Sequence, residues 1–291
     1  MRVVGSLAAT AALLSWVGWK LDLSAVWRSL ADVRPGWVIA AAALGPLQVG
    51  LSAERWRDLS GALGRPLPRG WAWRQVALSV VLNQLLPGGL AGDAVRAWRA
   101  SGVGAEPAGL GASARAVVAD RLVGLMVHLA AVGVGLALWS AASPGTIPAG
   151  AVAVSGATAL VLAGLVVAGP LAPDLRVALA PAGAGPRIVG ASVVLTASFV
   201  VGFGWCGLAL GAPLGPTALA AVPLVMLAMA LPIGFGGFGI REATAVVVLP
   251  RCGVGAEAAV AIAALYGVSA ALGSLPGALV PVWESQWPTP R

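Results

Sequence analysis

Apolar stretches of about 17–25 residues recur along the chain, each long enough to cross a hydrocarbon core about 30 Å thick. Inside such a core no water reaches the backbone, so its N–H and C=O groups must pair internally, which leaves helices or closed barrels. The apolar runs here are continuous and do not alternate with period two, so helices are expected. Composition agrees: 59% of residues are hydrophobic and 10% charged, against roughly 25% charged in a soluble domain. The expected fold is an all-α polytopic membrane protein. No polar linker appears, so residues 1–291 form a single integral membrane domain, with approximate halves 1–145 and 146–291.

A first span is expected at 3–19. It lacks a convincing small-residue cleavage site and leads straight into another membrane segment, so it reads as an anchor and not a signal peptide. Residues 22–33 place Leu23, Val26, Trp27 and Leu30 on one helical face, the pattern of a helix lying in the interface. Further spans are expected at 36–53, 71–86, 109–140, 147–169, 187–210, 215–231 and 256–280, with a polar helical piece at 90–101 and a short helix at 238–249. That makes about seven to nine transmembrane segments. Segments 170–186 and 211–216 read as loops.

The formal net charge of +7 could point to nucleic acid. The arginines, however, sit between apolar spans, where they orient inner-membrane proteins. The most basic stretch, 54–74, holds Arg55, Arg57, Arg65, Arg69 and Arg74 against Glu54 and Asp58. Read as a cytoplasmic loop, it puts the N-terminus in the cytoplasm and the protein in the inner or plasma membrane. Trp16, Trp19, Trp37, Trp56, Trp71, Trp73, Trp139 and Trp283 fall near span ends and are expected as interfacial anchors. Cys206 and Cys252 read as small apolar fillers. The lone His128 cannot build a metal site, and no metal or cofactor is expected.

Two similar phrases break the apolar pattern, one in each half. The first runs Leu86-Pro87-Gly88-Gly89-Leu90-Ala91-Gly92-Asp93-Ala94-Val95-Arg96; the second runs from Leu231-Pro232 through Gly234, Gly236, Gly237 and Gly239 to Arg241-Glu242. Such paired interruptions are the signature of transporters built from repeats with broken helices around a central site. The expectation is two re-entrant or broken helices in a pseudo-symmetric, inverted repeat. Charge inside a membrane segment costs roughly 2.5–3.5 kcal/mol on insertion scales, so polar residues there need a reason. Asn83, Asp93, Arg96, Asp120, Arg121, Arg241 and Glu242 are such residues, and with Gly88, Gly89, Gly236 and Gly237 they form the candidate substrate-binding set. Proline ends a helix and glycine permits a tight turn. The next helix then starts with unpaired N–H groups that suit an anion, phosphate above all. A nearby arginine offers a planar fork to phosphate oxygens. The structural alternative is that Asp93–Arg96 is only a buried ion pair, and that Arg241 and Glu242 reach across to Asp93 or Asp120 to lock the halves. Gly234 to Gly239 also spells a dinucleotide-binding pattern, but it follows a membrane span and not a strand, so that reading is discarded.

These residues resemble a known family. Asn83, Pro87-Gly88-Gly89, Gly92-Asp93 and Arg96 resemble the "N…LPG…GD..R" signature of the lysylphosphatidylglycerol synthase transmembrane-region family, also called flippase-like domain proteins. Asp120-Arg121 with Gly124 resembles its "DR..G" motif, Leu231-Pro232 through Gly239-Ile240-Arg241-Glu242 its "LP…GG.G.RE" motif, and Glu54-Arg55-Trp56 its "RW" element. The resemblance implies a bacterial or archaeal membrane protein that moves lipids between leaflets. In the best-known members this part is fused to a soluble aminoacyl-transferase domain. The chain stops at Arg291 without one, so synthase activity is not expected.

The function expected from the sequence is therefore a flippase for a phospho- or glycolipid headgroup, not an enzyme and without catalytic residues. Arg96, Arg121 and Arg241 would bind the phosphate, and Asp93, Asp120 and Glu242 would hold those arginines or meet a cationic headgroup. The alternatives are a membrane-embedded lipid transferase using one of the carboxylates as a base, and a scaffold for a separate lipid synthase. The first is weakened by the arginine next to each carboxylate in sequence. The expected partner is a membrane lipid and not nucleic acid; a separate synthase and a second copy of the chain are left open.

Overall fold

The computed structural model describes residues 11, 15, 31–86, 89–103, 109–230 and 236–281. The expected first span, most of the interfacial helix at 22–33, and Trp16, Trp19 and Trp283 lie outside these residues. The described residues are helical and contain no strand. In chain order the helices are α1 (Pro35–Ala62), α2 (Arg69–Leu85), α3 (Ala91–Ala100), α4 (Leu110–Ala142), α5 (Ala149–Ala168), α6 (Ala172–Ala178), α7 (Gly185–Ala209), α8 (Pro216–Leu227), α9 (Ile240–Val248) and α10 (Ala256–Ser274). Among them α1, α4, α7 and α10 with its 3-10 extension to Leu279 are long and apolar enough to cross a membrane. The protein is all-α and multi-pass, with four clear candidate spans among the described residues.

The stretch 54–74 is not a loop. Helix α1 runs on through Ala62, because Ala53-Glu54-Arg55-Trp56-Arg57-Asp58-Leu59 contains no glycine or proline to stop it. It stops at Gly64, which takes φ +77°. The Arg65 N–H reaches the Ser60 carbonyl at 2.8 Å and the Gly64 N–H reaches that of Gly61 at 3.0 Å. That pair of bonds is the Schellman closure a left-handed glycine permits. Arg55 and Arg57 are therefore helical residues, and the connection shrinks to 63–68. The loop expected at 170–186 likewise holds a short helix, α6, opened by Pro173.

Small residues set the packing, as lipid supplies no hydrophobic drive between helices. Gly45 of α1 and Gly273 of α10 face each other; a Cβ on Gly273 would sit 2.5 Å from the Ala42 carbonyl oxygen. The Arg34 N–H donates to the Ala209 carbonyl at 2.9 Å, and at the other end Arg187 pairs with Asp58 at 3.1 Å, so α1 and α7 lie antiparallel. Midway between those ties, Gln48 donates to the Ser198 hydroxyl at 3.2 Å. The tryptophans divide. Trp37 and Trp73 are exposed, as anchors should be, but Trp56, Trp71 and Trp139 are buried in the protein. Trp56 rests against Trp71, with centroids 5.9 Å apart, and the Trp139 indole donates to Thr146 at 2.9 Å. His128 lies 2.9 Å from the Pro223 carbonyl oxygen, a bond between α4 and α8. The Cys206 thiol sits 3.8 Å from the Ser269 hydroxyl.

Candidate functional site

Helix α2 carries Gln75, Ser79 and Asn83 at four-residue spacing, a polar stripe on one face. Helix α3 docks against that stripe. Asn83 accepts the Gly92 N–H at 2.8 Å, and Ser79 and Asn83 both reach the Asp93 carboxylate, at 3.4 and 3.5 Å. Farther along, Arg99 donates to Gln75 at 3.2 Å. The helices touch because Gly92 has no side chain: a Cβ there would overlap the Ser79 carbonyl. Gly92→Ala should push α3 off α2 and cost about 1–3 kcal/mol, as overpacking of tight contacts does. Thermal unfolding of the purified variant in detergent checks this; an unchanged midpoint would refute the close docking.

Around this hairpin lies a network of three arginines and two aspartates. Asp120 of α4 accepts from Arg55 Nε at 2.7 Å and from Arg96 Nη2 at 3.2 Å. Arg96 also reaches Asp93 at 3.0 Å, so it bridges the two carboxylates. Arg121 Nε donates to Asp93 at 2.6 Å, and its Nη2 donates to the Gly89 carbonyl at 2.9 Å. Arg55 Nη1 extends to the Ser192 hydroxyl of α7 at 3.4 Å. The Arg96 guanidinium lies over the Trp56 ring, 4.6 Å from its centroid. Gly124, the glycine of the "DR..G" motif, leaves room for Arg55; a Cβ there would come within 2.9 Å of Nη1. Four members are largely buried, but the Arg121 side chain is 44% exposed. Asp120 lies about 7–8 Å farther along α4 than the exposed Arg115, at 1.5 Å per residue.

The second break builds a smaller station. Arg241 is fully buried and pairs with its neighbour Glu242, Nη2 to Oε1 at 2.6 Å. Glu242 Oε2 accepts the Gly239 N–H at 2.6 Å and so caps α9. The guanidinium packs over Phe238 at 4.7 Å and Tyr266 at 5.9 Å, and Gly267 makes room for it. Gly236, Gly237 and Gly239 take φ of +53°, +78° and +89°, where a side chain would be strained. The second break reaches the end of α2 that leads into the first: a Cβ on Gly236 would sit 3.1 Å from the carbonyl oxygen of Gln84.

Of the predicted residues, Asn83, Gly89, Asp93, Arg96, Asp120 and Arg121 gather at one place, while Gly236, Gly237, Arg241 and Glu242 form the second. Gly88 lies outside the described residues. Two expectations change. The N-terminal N–H groups were expected to await an anion; one at each break is taken within the chain instead, that of Gly92 by Asn83 and that of Gly239 by Glu242. Arg241 does not cross to Asp93 or Asp120; its carboxylate among the described residues is Glu242. Sequence reasoning also missed Arg55, assigned to a loop, and Ser79, whose signal was its place midway between Gln75 and Asn83.

The motif residues are thus gathered by the fold around both breaks. A sequence profile described as "Lysylphosphatidylglycerol synthase TM region" matches residues 3–277. The chain belongs to this family. Comparison with curated proteins and with solved structures gave no match. As a lysylphosphatidylglycerol synthase transmembrane-region protein, the chain is a membrane protein linked to lipid handling. The network of Arg55, Asp93, Arg96, Asp120 and Arg121 joins three of the motifs that carried the resemblance.

Proposed function

We propose that the protein is a lipid flippase that passes a phosphate-bearing headgroup between leaflets while the acyl tails stay in lipid. The observation that carries this reading is the ion network beside the first break, closed by Arg55 and Arg96 and open at Arg121. Arg121 ties the break to α4 through Asp93 and Gly89, yet it leaves much of its guanidinium side chain open to a ligand, which Arg55 and Arg96 do not. Arg121 meets the headgroup, Asp93 holds Arg121 in place, and Arg55 and Arg96 fix the two aspartates. Rocking of one half against the other, hinged near the contact of Gly236 with Gln84, exposes the site to each side in turn. Both aspartates already accept from two arginines each, so we assign no bond-making step to them. A gradient of ions or of the lipid itself would supply the drive.

The test is reconstitution in proteoliposomes with a headgroup-labelled lipid and a membrane-impermeant quencher. Arg121→Ala should slow headgroup movement by about tenfold or more, the loss of one charge-assisted contact. Its fold should survive, because Arg121 sits at the edge of the network. Movement at the wild-type rate in a folded Arg121→Ala variant would overturn the reading.

A further inference from the structure

The ion network does not balance. Arg55, Arg96 and Arg121 bring three positive charges, and Asp93 and Asp120 bring two negative ones. The other carboxylates nearby among the described residues do not make up the difference. Glu54, next to Arg55 in sequence, is held by Arg57 and Arg69; Asp58 is held by Arg187 and Asp174 by Arg115. The next charge along α3, Arg99, is another cation. The network also holds unused donors. Arg96 Nε and Trp56 Nε1 are buried without a hydrogen-bond partner among the described residues, and these two residues stack on each other. The orphaned donors are costly away from water, and the surplus charge is that of the half-exposed Arg121, where a ligand can reach it. One ligand relieves both: an acceptor-rich anion.

From this balance we infer the substrate class, on the footing of the flippase reading: a lipid whose headgroup carries one phosphodiester and no cation. Its single negative charge brings the site to neutrality, and its oxygens meet Arg121 and the unused donors. A zwitterionic phosphodiester brings an ammonium group that would need a free carboxylate, and both aspartates are committed to arginines. A phosphomonoester or pyrophosphate brings negative charge beyond the single surplus of these five residues, and Arg99, the next cation along α3, is turned to Gln75.

Lipid retention, measured by native mass spectrometry of the whole protein in detergent, tests this separately from transport. The probes are a monoanionic phosphodiester lipid, a zwitterionic phosphodiester lipid and a phosphomonoester lipid with identical acyl chains. The wild type should retain the monoanionic lipid about tenfold or more over each of the others, as expected when one uncompensated charge decides. Arg121→Gln removes the surplus and should bring the monoanionic and zwitterionic lipids to near parity; Arg121→Lys should keep the preference. Equal or stronger retention of either competitor by the wild type overturns the inference, as does an undiminished preference in folded Arg121→Gln. Selective retention with no headgroup movement in proteoliposomes would uphold this inference and sink the flippase reading. Movement of all three lipids with no selective retention would do the reverse.

Discussion

Asp120→Ala will lower the stability of the protein by about 3–5 kcal/mol, the cost of removing one partner from a buried ion pair. Asp120 is nearly fully buried and is the carboxylate that Arg55 and Arg96 share. Without it, among the described residues, Arg55 keeps a 3.4 Å contact to Ser192 as its side-chain hydrogen bond, and Arg96 keeps Asp93 as its carboxylate. The hydrogen-bonded link between α4 and α1 is lost at this point, so the damage reaches beyond the site. The measurement is thermal unfolding of detergent-solubilised protein, followed by tryptophan fluorescence; the buried Trp56 beside Arg96 reports on the same region. Asp174→Ala is the control. Its partner Arg115 is 54% exposed, and such a pair contributes about 0–1 kcal/mol. Equal losses in the two variants would show that the network is not a buried structural unit.

The helices were legible in the sequence wherever one property decided them. Continuous apolar runs placed α4, α7 and α10 within a few residues of where they lie. Glycine and proline placed both breaks. The reading failed where a charged sequence was helical, because charge was equated with loop. The end of α1 is the clear case: Glu54 to Asp58 face a neighbouring charged surface on one side and a buried network on the other, and only packing separates Arg57 from Arg55. The tryptophans failed for a related reason. An indole near a span end suits the interface, but Trp56 and Trp71 are also wide enough to fill the gap beside α3, and tertiary contact won. Which ions pair was not legible either. Adjacency did not decide it: Arg241 and Glu242, neighbours on α9, bond to each other, whereas Asp120 and Arg121, neighbours on α4, turn apart. Asp120 turns inward to Arg55 and Arg96, and Arg121 turns outward to Asp93.

Replacing Arg241 and Glu242 together, as Arg241→Met with Glu242→Gln, will restore most of the stability that either single change removes. Arg241→Met leaves a buried carboxylate with one N–H donor, that of Gly239. Glu242→Gln keeps an oxygen to cap α9 but leaves a buried guanidinium without its counter-charge. Each single variant should cost about 3–5 kcal/mol, whereas a neutral pair of similar volume should come within about 1–2 kcal/mol of the wild type. The coupling between the two sites is then at least about 4 kcal/mol, measurable as a double-mutant cycle of unfolding free energies. Arg241→Ala alone would leave the buried Glu242 without its counter-charge, so that single variant cannot separate function from folding. The double variant can. Arg241 Nη1 has no hydrogen-bond partner among the described residues, a cost the fold bears beside a break of three left-handed glycines. If that donor meets the headgroup when the halves rock, the stable double variant will lose about tenfold or more of its transport rate. A double variant that is both stable and as fast as the wild type would make the second station a clip that closes the break, and would leave the first network as the only place where the lipid is read.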